Sequence, residues 1–118
     1  DPANWLSGLR DPMIGRALRH IHAAPARDWT LDTLARETGL SRSVLAERFG
    51  RLVGLPPMAY LARWRMQLAT HALLEPRANI AGIAAGVGYE SEAAFNRAFK
   101  KIVGTPPGLW RRNRQAAA

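Results

Sequence analysis

The chain contains no cysteine, so neither a disulfide nor a thiolate metal site can be built from it. That absence fits a reducing compartment, and a cytoplasmic protein is expected. No apolar run approaches the ~18 residues of a membrane span, and no signal-peptide pattern opens the sequence. Imidazole chemistry is limited to His20, His22 and His71. His20 and His22 are two residues apart and do not share a helical face. No metal-binding spacing occurs, and no nucleophile–base set can be assembled. Gly82, Gly86 and Gly88 lie around a turn and do not follow a strand, so they form no phosphate loop. The reading is therefore not an enzyme, with no cofactor and no metal.

Acidic residues are also scarce, nine against seventeen lysines and arginines, for a net charge of +8. The imbalance is not spread evenly. Residues 1–40 carry five basic and five acidic side chains, whereas residues 41–114 carry twelve basic and four acidic ones. Such asymmetry points to a polyanion. A membrane surface is the rival, but it calls for one continuous basic amphipathic helix. Here the charges are divided among several short segments.

At 118 residues the chain is one domain by size, and 47% hydrophobic residues can bury a core. The first residue is Asp1 and not Met, which leads to the expectation of a fragment of a longer protein.

The chain carries one pattern twice. A shift of fifty places Ser41 on Ser91, Leu45 on Phe95, Phe49 on Phe99, Gly54 on Gly104 and Tyr60 on Trp110. Before the turn the shift is forty-nine, with Leu34 on Ile83, Ala35 on Ala84 and Gly39 on Gly88. In the second copy Phe95, Ala98, Phe99 and Ile102 recur at i, i+3, i+4 and i+7 and share one helical face, expected to be buried. Leu45, Phe49 and Leu52 repeat it. The opposite face carries Ala93, Asn96, Arg97 and Lys100, with Lys101 at its edge. Ala35 and Ala84 are small where two helices must cross closely. Gly39 and Gly88 can end the first helix of each pair in the left-handed region, and Ser41 and Ser91 can cap the second. The reading is a duplicated helix-turn-helix, whose second helix has the dimensions of a major-groove reader.

The string Ile83-Ala84-x-x-x-Gly88-Tyr89-x-Ser91-x-x-x-Phe95-x-Arg97-x-Phe99-Lys100-x-x-x-Gly104-x-x-Pro107 resembles the signature of AraC/XylS-type transcription regulators. The first copy and the following Pro57-x-x-Tyr60-Leu61-x-x-x-Arg65-Met66-x-x-Ala69-x-x-Leu73-Leu74 match that pattern too. The resemblance covers about residues 11–114. It implies an all-α fold of seven helices, with two helix-turn-helix units joined by a long helix. It further implies sequence-specific binding of double-stranded DNA through two recognition helices, 42–52 and 92–103, in successive major grooves. RNA polymerase is an implied partner, as is an N-terminal sensor domain missing from this chain. Arg65 matches a family arginine expected to be structural.

In chain order, residues 1–10 read as a linker or N-terminal extension, with Trp5, Leu6 and Leu9 exposed unless they dock. Asp11 caps a helix opened by Pro12. The first helix-turn-helix occupies about residues 30–54, with Thr30 as an N-cap. The joining helix covers 57–75, and its length of ~27 Å is of the order of the ~34 Å between successive groove faces. The second unit occupies about 79–104, with Asn79 as an N-cap. A short last helix follows, carrying Arg111, Arg112 and Arg114, and residues 115–118 are expected to be disordered.

For base readout the candidates are Arg97 and then Asn96, whose amide suits adenine. Glu92 and Ala93 line the same wall. Ser43, Ala46 and Glu47 are the equivalents in the first unit. Arg42, Arg51, Lys100 and Lys101 are the phosphate candidates. Glu47 stands where the family commonly has arginine. It could accept from a cytosine amino group or pair with Arg51 at i+4. Two other functions remain open on the residues: a helical protein-interaction module, and sequence-indifferent nucleic-acid binding.

Overall fold

A computed structural model describes residues 5–117, apart from the side chain of Trp5. Within them the chain is all α, with eight helices: α1 (Trp5–Leu9), α2 (Pro12–Ala23), α3 (Leu31–Thr38), α4 (Arg42–Val53), α5 (Pro57–Leu73), α6 (Ile80–Gly86), α7 (Glu92–Val103) and α8 (Pro107–Ala117). They group into two compact units that divide within α5, after Leu61.

Local chemistry sets where these helices begin. Asp11 accepts from the backbone N–H groups of Met13 and Ile14 at 3.0 and 3.1 Å, and Pro12 occupies the first helical position. Thr30 and Thr33 form a reciprocal capping box, each hydroxyl accepting from the other residue's N–H. Asn79 accepts from Gly82 N at 3.0 Å.

In the first unit, α2 buries Ile14, Ala17, Leu18 and Ile21 against Leu34 and Ala35 of α3 and Leu45, Phe49 and Val53 of α4. Trp29 closes this core, its indole N–H donating to Ala24 O at 2.8 Å. Residues 5–9, expected to be linker, are instead a helical turn packed on α2 and α4. Gly8 makes that approach possible: a Cβ there would lie 2.9 Å from both Leu18 Cδ1 and Val53 Cγ2. Leu6 and Leu9 stay exposed, and residues 1–4 lie outside the described part. This extra element is why eight helices are found where seven were expected.

His22 Nε2 and Tyr60 Oη share a 2.6 Å hydrogen bond, and Tyr60 stacks edge-on to Phe49 with centroids 5.8 Å apart. Burial pushes His22 below its ordinary 6.5 and Tyr60 from 10.0 up to about 12. Below pH 6.5 the unfolded His22 takes a proton that the folded one resists, so stability falls as pH drops. Between pH 10 and about 12 the unfolded Tyr60 ionises first, so stability falls as pH rises. Urea midpoints across pH should therefore show a plateau between these limits. Tyr60→Phe should shrink the alkaline loss; an unchanged alkaline limb would contradict this account.

In the second unit Met66, Ala69 and Leu73 of α5 pack with Ile83, Ala84 and Val87 around Phe95 and Phe99 of α7. Along α5, Leu61 and Leu73 are buried, whereas Met58, Leu68 and Ala72 are half-buried. Arg65 holds the structural place expected of it, its guanidinium 5.5 Å from the Tyr89 ring centroid. Burial raises the Tyr89 pKa, partly offset by Arg65. Trp64 is half-buried. The expected disorder at 115–118 is not what is seen, since α8 continues through Ala117; Ala118 lies outside the described residues.

Candidate nucleic-acid interface

The duplication is repeated in backbone geometry. All positive-φ glycines fall in equivalent pairs: Gly39 (75°) with Gly88 (103°), and Gly54 (92°) with Gly104 (106°). The first pair turns the chain from α3 into α4 and from α6 into α7, and only glycine enters that region without a Cβ penalty. Ser41 then accepts from Val44 N at 3.2 Å and Ser91 from Ala94 N at 3.0 Å, fixing the first turn of each second helix. Ala35 and Ala84, the small residues expected at the crossing, are both buried.

The buried stripe of each second helix differs from the expected one. Leu45, Phe49 and Val53 are fully buried, as are Phe95 and Phe99, with Val103 half-buried. The stripe thus runs i, i+4, i+8, not i, i+4, i+7. Ile102, expected inside, is 39% exposed, and Leu52 is half-buried. Val103 packs on the core around Phe95 and Phe99, and Val53 lies against α1, 2.9 Å from where a Cβ on Gly8 would stand. Ala98 is also half-buried.

The remaining faces carry most of the proposed contacts. On α7, Glu92, Ala93, Arg97, Lys100 and Lys101 are exposed. Arg97, Lys100 and Lys101 enter no ion pair among the described residues. Asn96 departs from expectation: it is half-buried, and its Oδ1 is enclosed with no hydrogen-bond partner among the described residues. Its Oδ1 therefore reaches a base only if the carboxamide turns. On α4, Arg42, Ser43 and Glu47 are exposed, as is Arg51, and Ala46 is half-buried.

The phosphate candidates of α4 already hold partners. Arg42 Nε is 3.2 Å from Asp32, and Arg51 Nε is 3.4 Å from Glu47 Oε1, the i+4 pair foreseen as one fate of Glu47. Both pairs are well exposed and each is worth at most about 1 kcal/mol, so a phosphate can compete for either arginine. Arg48 turns toward α2, 3.7 Å from Asp11.

Two features escaped the sequence pattern. Val44 is 41% exposed on the reading face of α4. Its signal was the i, i+4, i+8 stripe, which leaves position 44 outside. Arg111, counted in the basic tail, points inward: its guanidinium donates to the carbonyls of Leu73, Pro76 and Ala78 at 3.1, 3.4 and 2.7 Å. Nothing local marks it out from Arg112. Arg114 lies 4.9 Å over the Trp110 ring.

No three His, Cys, Asp or Glu side chains among the described residues come together as a metal site, and no described helix is long and apolar enough to cross a membrane. What the arrangement offers is two capped, cation-bearing helices, each packed in a helix-turn-helix pair.

A family model for a helix-turn-helix domain matches residues 34–113. The chain is 48% identical over 111 residues to an AraC-like transcription regulator of Streptomyces lividans, covering 94% of this chain and 36% of that protein. It thus spans about a third of the length of such curated relatives. Among solved structures, the C-terminal domain of AraT, a response regulator from Geobacillus stearothermophilus, matches with TM-score 0.83 and 31% identity over 87% of this chain and 86% of that one. The DNA-binding domain of AdpA, determined in complex with a target DNA, shares the fold with TM-score 0.84 and 23% identity, over 91% of this chain and 96% of that one.

Proposed function

Since this chain belongs to the AraC/XylS family of helix-turn-helix domains, we propose that it is the sequence-specific DNA-binding domain of a transcription regulator, with α4 and α7 as its major-groove readers. The observation that carries this reading is the face of α7. Arg97, Lys100 and Lys101 stand exposed and unpaired among the described residues on a helix whose other side is locked by Phe95 and Phe99. A helix fixed by its buried side presents these cations from one ridge, where base edges and phosphates can be reached. The functional domain is residues 11–114, with α1 as an added brace on its first unit.

Roles divide by charge and position. Arg97 is the principal base reader, bidentate to guanine O6 and N7. Ala93, Glu92 and Asn96 line its wall, and Ser43, Ala46 and Glu47 form the wall of the first unit. Arg42, Arg51, Lys100 and Lys101 hold phosphates. The rest of the whole protein carries a sensor domain that governs this one, and RNA polymerase is its partner at promoters in the cytoplasm.

Competition shift assays with random and genomic duplexes test the reading, and two variants divide the roles. Arg97→Ala should cost about 1–3 kcal/mol on the selected site and relax base preference there. Equal losses on cognate and random duplexes would make Arg97 a phosphate contact. Lys100→Ala should weaken every sequence alike and lower the salt slope by about one unit. An unchanged slope would remove Lys100 from the phosphate set. Tight protein binding without any preference among duplexes would favour an interaction module instead.

A further inference from the structure

Because the chain repeats itself at a spacing of fifty, each position on the α4 face has a counterpart on α7, and the two can be compared directly. Both helices carry three basic residues and one acidic residue, but on α4 all three cations are paired and on α7 none is among the described residues. The placement of those charges is opposite. Glu47 occupies the position of Arg97, and Arg42 that of Glu92. At the i+4 site Glu47 has an attractive neighbour, Arg51, at 3.4 Å, whereas Arg97 has a like charge, Lys101. Val44 is 41% exposed where its counterpart Ala94 is half-buried.

Resting on the DNA-binding reading above, we propose that the two helices read half-sites of opposite hydrogen-bonding polarity: Arg97 a guanine, and Glu47 with Val44 a cytosine beside a thymine. A carboxylate can only accept. Thymine O4 and guanine O6 and N7 are acceptors in the major groove, and Glu47 repels them. Adenine offers its N6 donor beside the N7 acceptor, so a carboxylate meets both attraction and repulsion. Cytosine offers the N4 donor with no acceptor on its own groove edge, unlike adenine, which makes it the best fit. Val44 is three residues before Glu47 on the same face, with Cβ atoms expected about 5–6 Å apart. Its methyls therefore meet the neighbouring base pair, where the C5-methyl of thymine is the apolar contact on offer. The solvent-exposed Arg51 pair is weak enough to exchange, so Arg51 can turn to a phosphate while Glu47 meets the base.

Glu47 also acts by exclusion. A negative charge aimed at DNA weakens binding to every wrong sequence, so specificity at this half-site comes from rejection as much as from attraction. Its removal should therefore raise affinity for random DNA, whereas removal of Arg97 should lower it.

Selection of bound duplexes from a randomised pool, with the chain as it stands, tests the proposal. The wild type should yield a site with distinct cytosine- and guanine-dependent positions. Glu47→Ala should abolish the preference at the cytosine position, a loss of about tenfold in discrimination, and bind random duplex more tightly than wild type. Val44→Ala should lose only the adjacent thymine. Glu47→Arg should convert the cytosine preference to guanine. Arg97→Ala should change a different position. These side chains are solvent-exposed, and unchanged thermal melts would confirm that folding is not the cause. If Glu47→Ala leaves every position unaltered, or weakens all duplexes alike, the polarity proposal is wrong while the DNA-binding reading stands. If the wild type selects no site at all, the DNA-binding reading falls and takes this one with it.

Discussion

Phe99→Ala is expected to destabilise the second unit by about 3–5 kcal/mol, the usual cost of deleting a fully buried phenyl ring. Phe99 is completely enclosed, with Phe95 at 5.6 Å and Trp110 at 6.2 Å between ring centroids. Its ring touches α8 as well as the core that α5 and α6 share with α7, so the void could close only by moving several helices together. Against a typical domain stability of roughly 5–15 kcal/mol, the loss would leave little margin. Urea unfolding followed by tryptophan fluorescence measures it, because Trp64 and Trp110 both lie in this unit. Phe99→Leu should lose distinctly less, since it keeps most of the apolar volume. A change below about 1 kcal/mol for the alanine variant would mean that the Phe95–Phe99 stack is not what holds α7. DNA binding should fall with the fold, and both should return together with a stabilising osmolyte.

Arg111→Ala is expected to cost about 2–3 kcal/mol of stability, although the residue looks like one of several tail cations. Its three acceptors, the carbonyls of Leu73, Pro76 and Ala78, belong to the end of α5 and the turn that follows. Carbonyls at a helix C-terminus lack intrahelical donors and carry the negative end of the dipole, so a guanidinium satisfies both needs. Arg111→Lys should recover little, because an ammonium cannot present a planar fork to carbonyls in three directions. Arg112, the exposed neighbour, is the control: its replacement should leave the melting temperature unchanged. If Arg111→Ala and Arg112→Ala were equally stable and lost affinity for DNA to the same extent, Arg111 would belong with the phosphate contacts after all.

These two expectations show where sequence reasoning reaches and where it stops. The N-caps Asp11, Thr30, Ser41, Asn79 and Ser91 were all readable, because a cap is a bond between a side chain and a backbone group two or three residues on. The bounds of α3 were readable for the same reason, with Gly39 closing it. Arg111 was not, since its partners lie 33 to 38 residues earlier in the chain. Nor was the fate of Ile102: periodicity permits either residue 102 or 103 to face inward. The packing of Val103 on the core around Phe95 and Phe99 decided it. The docking of α1 depended on Gly8 meeting Leu18 and Val53, a contact that no local pattern announces.

The reading face divides in the same way. That Arg97, Lys100, Ser43 and Glu47 point away from the core follows from their spacing relative to Phe95, Phe99, Leu45 and Phe49. That Asn96 tucks its carboxamide oxygen inward, and that Arg42 and Arg51 carry acidic partners, follows from neighbours the spacing does not name.

The amino-acid order by itself determined the duplicated two-helix unit, its capped ends and the concentration of positive charge from residue 41 onward, because each is written in residues a few places apart or repeated at a constant interval. Only the tertiary structure decided which arginines spend their charge inside the protein and which remain free, because a guanidinium is committed by the carbonyl or carboxylate that folding brings to it.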